Sequence, residues 1–195
     1  GGQKGPSSIP GVPRIAFSEK AWDIIEKRTA PFPHWVLNPL RAARFWHHQE
    51  YHYTAPVPGI LAIHEALRLI CAETLEKRFE RHKISSNALQ AALESMGLEL
   101  FTTKENRLNS VIAINIPAGV DSHKLRTYMI ENHKVEISGA FGLPIVRIGQ
   151  MGEQCHPEHL FKTLYALGKG LKNQSCEINI SNGMTALEKG LESWL

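Results

Sequence analysis

The sequence holds only three cysteines, Cys71, Cys155 and Cys176, an odd count with no paired spacing. That argues against a disulfide-framed scaffold and makes a reduced, intracellular set of thiols the expectation. No apolar run approaches the roughly 20 residues needed to span a bilayer, so no membrane segment is expected. Charge of one sign is scarce: 22 Lys and Arg stand against 19 Asp and Glu, a net +3 spread evenly along the chain. So small an excess gives no electrostatic footprint for nucleic acid. No secretory signal precedes the first motif, and Ser193-Trp194-Leu195 is not the Ser-Lys-Leu peroxisomal address. A cytoplasmic location is therefore the expectation, with an organellar one left open.

What is present is ordinary for a globular protein: 195 residues, 43% apolar and 21% charged, enough to bury the core of one or two domains. Residues 1–18 read as a loop followed by a strand at Arg14-Ile15-Ala16-Phe17-Ser18. Ser18 is a good N-cap for a helix whose buried stripe is Trp22 and Ile25 with Ile24 beside them, ended by Pro31 and Pro33. Thr54-Ala55-Pro56 looks like a helix start, and Ile60, Ile63, Leu67, Ile70 and Leu75 continue at three- and four-residue steps. The charged residues 76–83 extend that helix in solvent, Leu89, Leu93 and Met96 carry the stripe on, and Gly97 stops it. A helix of about 40 residues is far above the usual length and so is expected to connect two domains.

Beyond Gly97 the pattern changes. Residues 111–116, 135–137 and 145–148 read as strands, Ser122 to His133 as a helix on Leu125, Met129 and Ile130, and Pro157 opens a helix on Leu160, Leu164 and Leu167. That order fits a small α+β domain. Leu187, Leu191 and Trp194 suggest a last helix.

Gly1-Gly2-Gln3-Lys4-Gly5-Pro6 presents one amine on a backbone of small residues. Such a lysine is either a solvated tail residue or an amine held against a carbonyl compound. Arg147 sits in a β-branched strand that opens into Gly149; it serves either a structural ion pair or a forked grip on a carboxylate. His47, His48 and His52 are crowded, but no cysteine or carboxylate joins them at a recurring zinc spacing, so no metal site is expected.

Taken together, Gly2-Gln3-Lys4 with Pro10-Gly11-Val12, Tyr51-His52-Tyr53-Thr54-Ala55-Pro56-Val57, and Val146-Arg147-Ile148-Gly149-Gln150-Met151-Gly152 resemble, in order and spacing, three segments of the class V aminotransferases. The branch is that of the alanine–glyoxylate (serine–pyruvate) aminotransferases, which use pyridoxal phosphate. The resemblance covers about residues 1–172. It implies an α/β fold, the C-terminal part of a fold-type I pyridoxal-phosphate-dependent transferase. Residues 1–55 would end the large cofactor domain, 56–96 would form the connecting helix, 97–172 the small domain and 173–195 a helical tail. The N-terminal half of the enzyme, with the residue that stacks on the cofactor ring and most of the phosphate cup, would be supplied elsewhere.

By that resemblance Lys4 is the Schiff-base lysine, Gln3 a neighbour of the cofactor, and Arg147 the grip on the substrate α-carboxylate. Tyr51 and Thr54 match positions whose hydroxyls reach the cofactor phosphate of a neighbouring subunit, so a homodimer with shared sites is implied. A buried tyrosine and a helix-capping threonine are the structural alternatives at those positions. The implied reaction moves an amino group from a small amino acid of the alanine or serine type to a 2-oxo acid of the glyoxylate or pyruvate type. A lyase or desulfurase on the same scaffold, and an idle half-chain acting in assembly, are the rival readings. The relative that uses pyridoxamine as donor carries a second arginine where this chain has Ala140-Phe141, and an apolar Phe141 points to a small or hydrophobic substrate part.

Overall fold

Ser18 starts the first helix as expected: its Oγ accepts from the Ala21 amide at 3.3 Å, and α1 runs Glu19–Glu26. The computed structural model describes residues 1–192 and 194. The chain divides into two compact units, one of Gly1–Gln3 with Ser8–Ala66, the other of Lys4–Ser7 with Leu67 onward.

The first unit holds α1, α2 (Pro39–His48) and the opening turns of α3 (Val57–Glu73). Asn38 caps α2 by accepting from the Leu40 and Arg41 amides at 3.0 and 3.2 Å, with Pro39 in the first turn where no amide is needed. Neither α1 nor α2 contains a buried residue, and Ile24 is exposed. Residues 14–18 form no strand, because a strand needs a partner edge and none runs beside them among the described residues.

In the second unit the expected long helix is two helices. α3 ends at Glu73 and α4 (Leu75–Ser95) begins at Leu75, because Thr74 turns out of the helix with φ 73° and ψ 154°. Its Oγ1 accepts from the Lys77 amide at 3.5 Å and so caps the new helix. A β-branched residue rarely takes a positive φ.

β1 (Val111–Asn115), β2 (Ser138–Ala140) and β3 (Leu143–Gly149) form an antiparallel sheet in the order β1-β3-β2. The expected strand at 135–137 forms later, as β2. Ile112 pairs with Ile148 and Ile114 with Val146, and all four are buried on one face. The alternate residue Arg147 is exposed, as strand periodicity requires. The helices α5 (Ser122–His133), α6 (Pro157–Lys172) and α7 (Ile180–Leu191) complete the unit. Leu89 and Leu93 of α4, Leu125 and Met129 of α5, Leu160, Leu164 and Leu167 of α6, and Leu187 and Leu191 of α7 fill one core with those strands. α7 approaches α4 so closely that a Cβ on Gly190 would come within 2.8 Å of the Ala88 Cα. The architecture is thus α/β: helices around a small sheet. Trp194 packs half-buried against the core, while Ser193 and Leu195, which end the expected helical tail, lie outside the described residues.

Candidate active site

Lys4 begins a tight turn. The Ser7 amide donates to the Lys4 carbonyl at 2.9 Å, and Ser7 takes φ 63°. The Lys4 side chain is exposed, and no carboxylate pairs with it among the described residues. Gln3 is also exposed and falls in the other unit. What fixes the turn is Arg78. Its Nη2 donates to the Gly5 carbonyl at 2.8 Å and to Ser7 Oγ at 3.0 Å.

Arg78 belongs to the charged residues 76–83 expected in solvent, yet it is 6% exposed, and Arg81 is 9% exposed. A charge so deep needs partners. Glu73, the last residue of α3, supplies them across the Thr74 break: Oε2 accepts from Arg78 Nη1 at 2.6 Å and from Arg81 Nη2 at 3.0 Å, and Oε1 accepts from Arg81 Nε at 2.6 Å. The hydrogen bond from Arg81, aided by Arg78 and outweighing burial, pulls the Glu73 carboxyl down to about 2. Burial works against the charge on Arg81, but Glu73 more than offsets it and the guanidinium is held still more firmly charged.

The same cluster grips the loop that follows β3. Arg81 Nη1 donates to the Gly152 carbonyl at 2.7 Å and to Cys155 Sγ at 2.8 Å. Ser85 Oγ donates to the Cys155 carbonyl at 2.8 Å. Burial pushes the Cys155 thiol up despite Arg81, and the thiol donates in turn to the Gly152 carbonyl at 3.1 Å. Glu153 Oε1 lies 3.4 Å from Arg78 Nη2 and accepts from Ser7 Oγ at 3.3 Å. Burial alone would raise its carboxyl, but the hydrogen bond from His156 and the charge of Arg81 hold it low.

His82 completes the loop's anchorage and reveals its tautomer. The Gly152 amide donates to Nε2 at 2.9 Å, so the ring proton is on Nδ1, which donates to the Arg78 carbonyl at 2.7 Å. Burial, reinforced by the Arg81 and Arg78 charges and opposed by the hydrogen bond to the Arg78 carbonyl and by Glu73, lowers the His82 pKa. Upstream on β3, Arg147 Nε and Nη2 both donate to the Gly139 carbonyl, at 3.0 and 2.7 Å. It has no ion-pair partner among the described residues, and its Nη1 makes no hydrogen bond there. Phe141, at the hairpin between β2 and β3, is fully exposed.

In the first unit, Tyr51 and Thr54 come together: their hydroxyls are 3.3 Å apart, and both side chains are exposed. Tyr51 is therefore not the buried tyrosine of the structural alternative, and α3 begins only at Val57. His52 between them is 1% exposed and anchors the segment, its Nε2 2.8 Å from the Trp35 carbonyl and its ring edge-on to Trp35 and Tyr53. Among the described residues no three His, Cys, Asp or Glu side chains gather to hold a metal ion. Sequence reasoning missed the Glu73–Arg78–Arg81–His82–Glu153 cluster. The one available signal was four charged or polar residues at helical spacing on the α4 face that continues into Leu89 and Leu93.

The chain is 31% identical to the alanine–glyoxylate aminotransferase of Drosophila melanogaster over 195 aligned positions, 96% of this chain and 49% of that one. It superposes on the structure of the ureidoglycine–glyoxylate aminotransferase of Bacillus subtilis with a TM-score of 0.95 at 30% identity, covering 98% of this chain and 51% of the other. On pyridoxamine–pyruvate aminotransferase from Mesorhizobium loti the TM-score is 0.83 at 26% identity, with 90% and 46% covered. No protein-family model matches the sequence. The chain spans about half the length of the relatives it matches.

Proposed function

We infer that this chain, a homologue of those aminotransferases and in keeping with the C-terminal half of a class V member, works within a pyridoxal-phosphate-dependent aminotransferase. The reaction would carry an amino group from a small amino acid to a 2-oxo acid of the glyoxylate or pyruvate type, the acceptors named for its relatives. The observation that carries the reading is the superposition over nearly the whole chain on enzymes of this one reaction type.

The residues present suit the cofactor. Lys4 offers an exposed primary amine, with no carboxylate paired to it among the described residues, on a fixed turn, fit to hold an aldehyde carbon. Tyr51 and Thr54 offer two adjacent exposed hydroxyls, donors that match a phosphate without adding charge. When bound, pyridoxal phosphate supplies an electrophilic carbon and a conjugated ring that accepts the electron pair left at the substrate α-carbon. The Lys4 amine would hold the cofactor's aldehyde carbon and, as a general base, would accept the proton at the substrate α-carbon. Arg147 would bind the substrate carboxylate with the guanidinium hydrogens that Gly139 leaves free, orienting the α-carbon toward Lys4.

The proposal includes the domain division at 55/56, 96/97 and 172/173, a second polypeptide segment that completes the cofactor pocket, and a homodimer in which Tyr51 and Thr54 close the partner's phosphate site. To test it, the completed enzyme is given ¹⁵N-alanine and glyoxylate and the products are followed by mass. Label appearing in glycine with matching pyruvate supports transamination. Pyruvate and ammonia released from serine with no 2-oxo acid present would assign a lyase, and no turnover of alanine or serine would leave the idle half-chain.

A further inference from the structure

We propose that Arg78 is a positioning residue for Lys4: from α4 it clamps the Lys4–Ser7 turn against the loop at Gly152, and so fixes where the amine is presented. The functional half of this statement rests on the reading of Lys4 given above; the clamp rests on contacts of the chain alone.

The turn is gripped from two sides. On one, a single Arg78 nitrogen serves both Gly5 O and Ser7 Oγ, at 2.8 and 3.0 Å, while the other terminal nitrogen is locked to Glu73. On the other, Gly152 has φ +65° and stands so close that a Cβ there would collide with Ser7 Oγ and lie 3.2 Å from the Lys4 carbonyl. Gly152 is itself immobilised, its amide on His82 and its carbonyl on Arg81. Glu153 closes the circuit by accepting from Ser7 and pairing with Arg78.

Two features separate this arrangement from plain fold support. Well-packed apolar side chains would stabilise such a site as well as buried ion pairs or better, so stability alone does not call for ion pairs at this place. And Ser7, not glycine, is held at φ 63°, a conformation that persists only where its surroundings over-determine it. The clamp touches the chain from the Lys4 carbonyl to Ser7 and never the Lys4 amine. It therefore sets the amine's position and leaves its chemistry free.

Hydrogen exchange on the full chain without cofactor tests the clamp, comparing the native protein with Arg78→Met and Ser7→Ala. Ser7→Ala removes one acceptor from an exposed residue and leaves every buried charge paired, so it keeps the test decisive should Arg78→Met fail to fold. The Ser7 amide should exchange about tenfold faster in both variants, with the amides of β1 and β3 unchanged. Arg78→Lys, which restores one donor, should fall between. Native exchange at Ser7 in the variants would overturn the clamp, and acceleration extending equally through β1 and β3 would reduce Arg78 to fold support. The second readout uses the completed enzyme with pyridoxal phosphate. The pH midpoint of the bound cofactor's visible absorbance should move in Arg78→Met while the absorbance itself persists. An unmoved midpoint would overturn the positioning of Lys4. No such absorbance in the native enzyme would instead refute the cofactor reading, and the exchange result would still decide the clamp.

Discussion

Arg78 and Gly5 stand 73 positions apart in sequence, yet Arg78 Nη2 donates to the Gly5 carbonyl at 2.8 Å. That bond joins the turn bearing Lys4 to α4, and Glu73 makes it possible by pairing with Arg78 and Arg81 at once. Without Glu73 two guanidinium groups, 6% and 9% exposed, would keep only the longer carboxylate contacts, to Glu153 at 3.4 and 3.8 Å.

Glu73→Gln should therefore destabilise the protein by about 3–5 kcal/mol, read as a lower urea midpoint at an unchanged slope. The acid limb should show the same residue. With the carboxyl lowered from 4.5 to about 2 in the folded state, its contribution of roughly 3 kcal/mol is complete above 4.5 and is lost as pH falls toward 2. Glu73→Gln should flatten that limb; an unchanged acid transition would show that Glu73 does not anchor the cluster.

His82 adds a second, milder pH dependence. Its folded pKa lies below 6.5, so the unfolded chain binds the proton first and stability falls as pH drops from 6.5 through the lower folded value. Protonation puts a hydrogen on Nε2, which can then no longer accept from the Gly152 amide, and the Arg78 and Arg81 charges oppose it. Exchange of the Gly152 amide, corrected for intrinsic rates, should speed below pH 6.5 while amides in β1 do not. In His82→Phe that difference between pH 7 and pH 5 should vanish.

Much of this molecule was legible because its signals are local. Ser18, Pro157 and the apolar spacing of Leu160, Leu164 and Leu167 each announced a helix through side-chain and backbone chemistry within one turn. Thr74 was not legible. The apolar spacing runs through it from α3 into α4, and periodicity carries no information about one residue's φ. The expected strand at 14–18 failed for another reason: a strand-like run becomes a strand only where an edge is available to pair. Leu67 and Leu75 were placed in a buried stripe yet are 39% and 51% exposed, and Ile130 is 44% exposed. The charged residues 76–83 misled most. Lys77, Phe79 and Glu80 are exposed, but Arg78 and Arg81 turn inward to Glu73 across the Thr74 break, and to Glu153 and the turn beside Lys4, separations that no window of sequence displays.

Arg147→Lys should weaken the amino acid and the 2-oxo acid together, since both present the same carboxylate. A lysine cannot reproduce the fork, and the loss should be on the order of 2–4 kcal/mol in kcat/KM for each. Because Arg147 is exposed and outside the core, Tm should move little. Unchanged saturation curves for both substrates would leave Arg147 only its bonds to the Gly139 carbonyl.

Tyr51→Phe with Thr54→Val removes both hydroxyls of the 3.3 Å pair while nearly keeping its shape. The double variant should lose cofactor affinity, and excess pyridoxal phosphate should partly restore activity. Mixed with Lys4→Ala under conditions of subunit exchange, it should regain activity, because one of the two sites in a mixed dimer has its own Lys4 and the partner's hydroxyls. Exchange confirmed by mass with no recovery would mean that each site is built within one subunit.

The most direct test of the account concerns Lys4 itself. Borohydride reduces the carbon–nitrogen double bond of a lysine-bound aldehyde to a stable secondary amine. The completed enzyme, loaded with pyridoxal phosphate, is reduced, digested and mapped by mass spectrometry. The account predicts the cofactor's mass on the peptide that contains Lys4, and no labelled peptide from Lys4→Ala. Recovery of the label on a different lysine, with the Lys4 peptide unmodified, would contradict it.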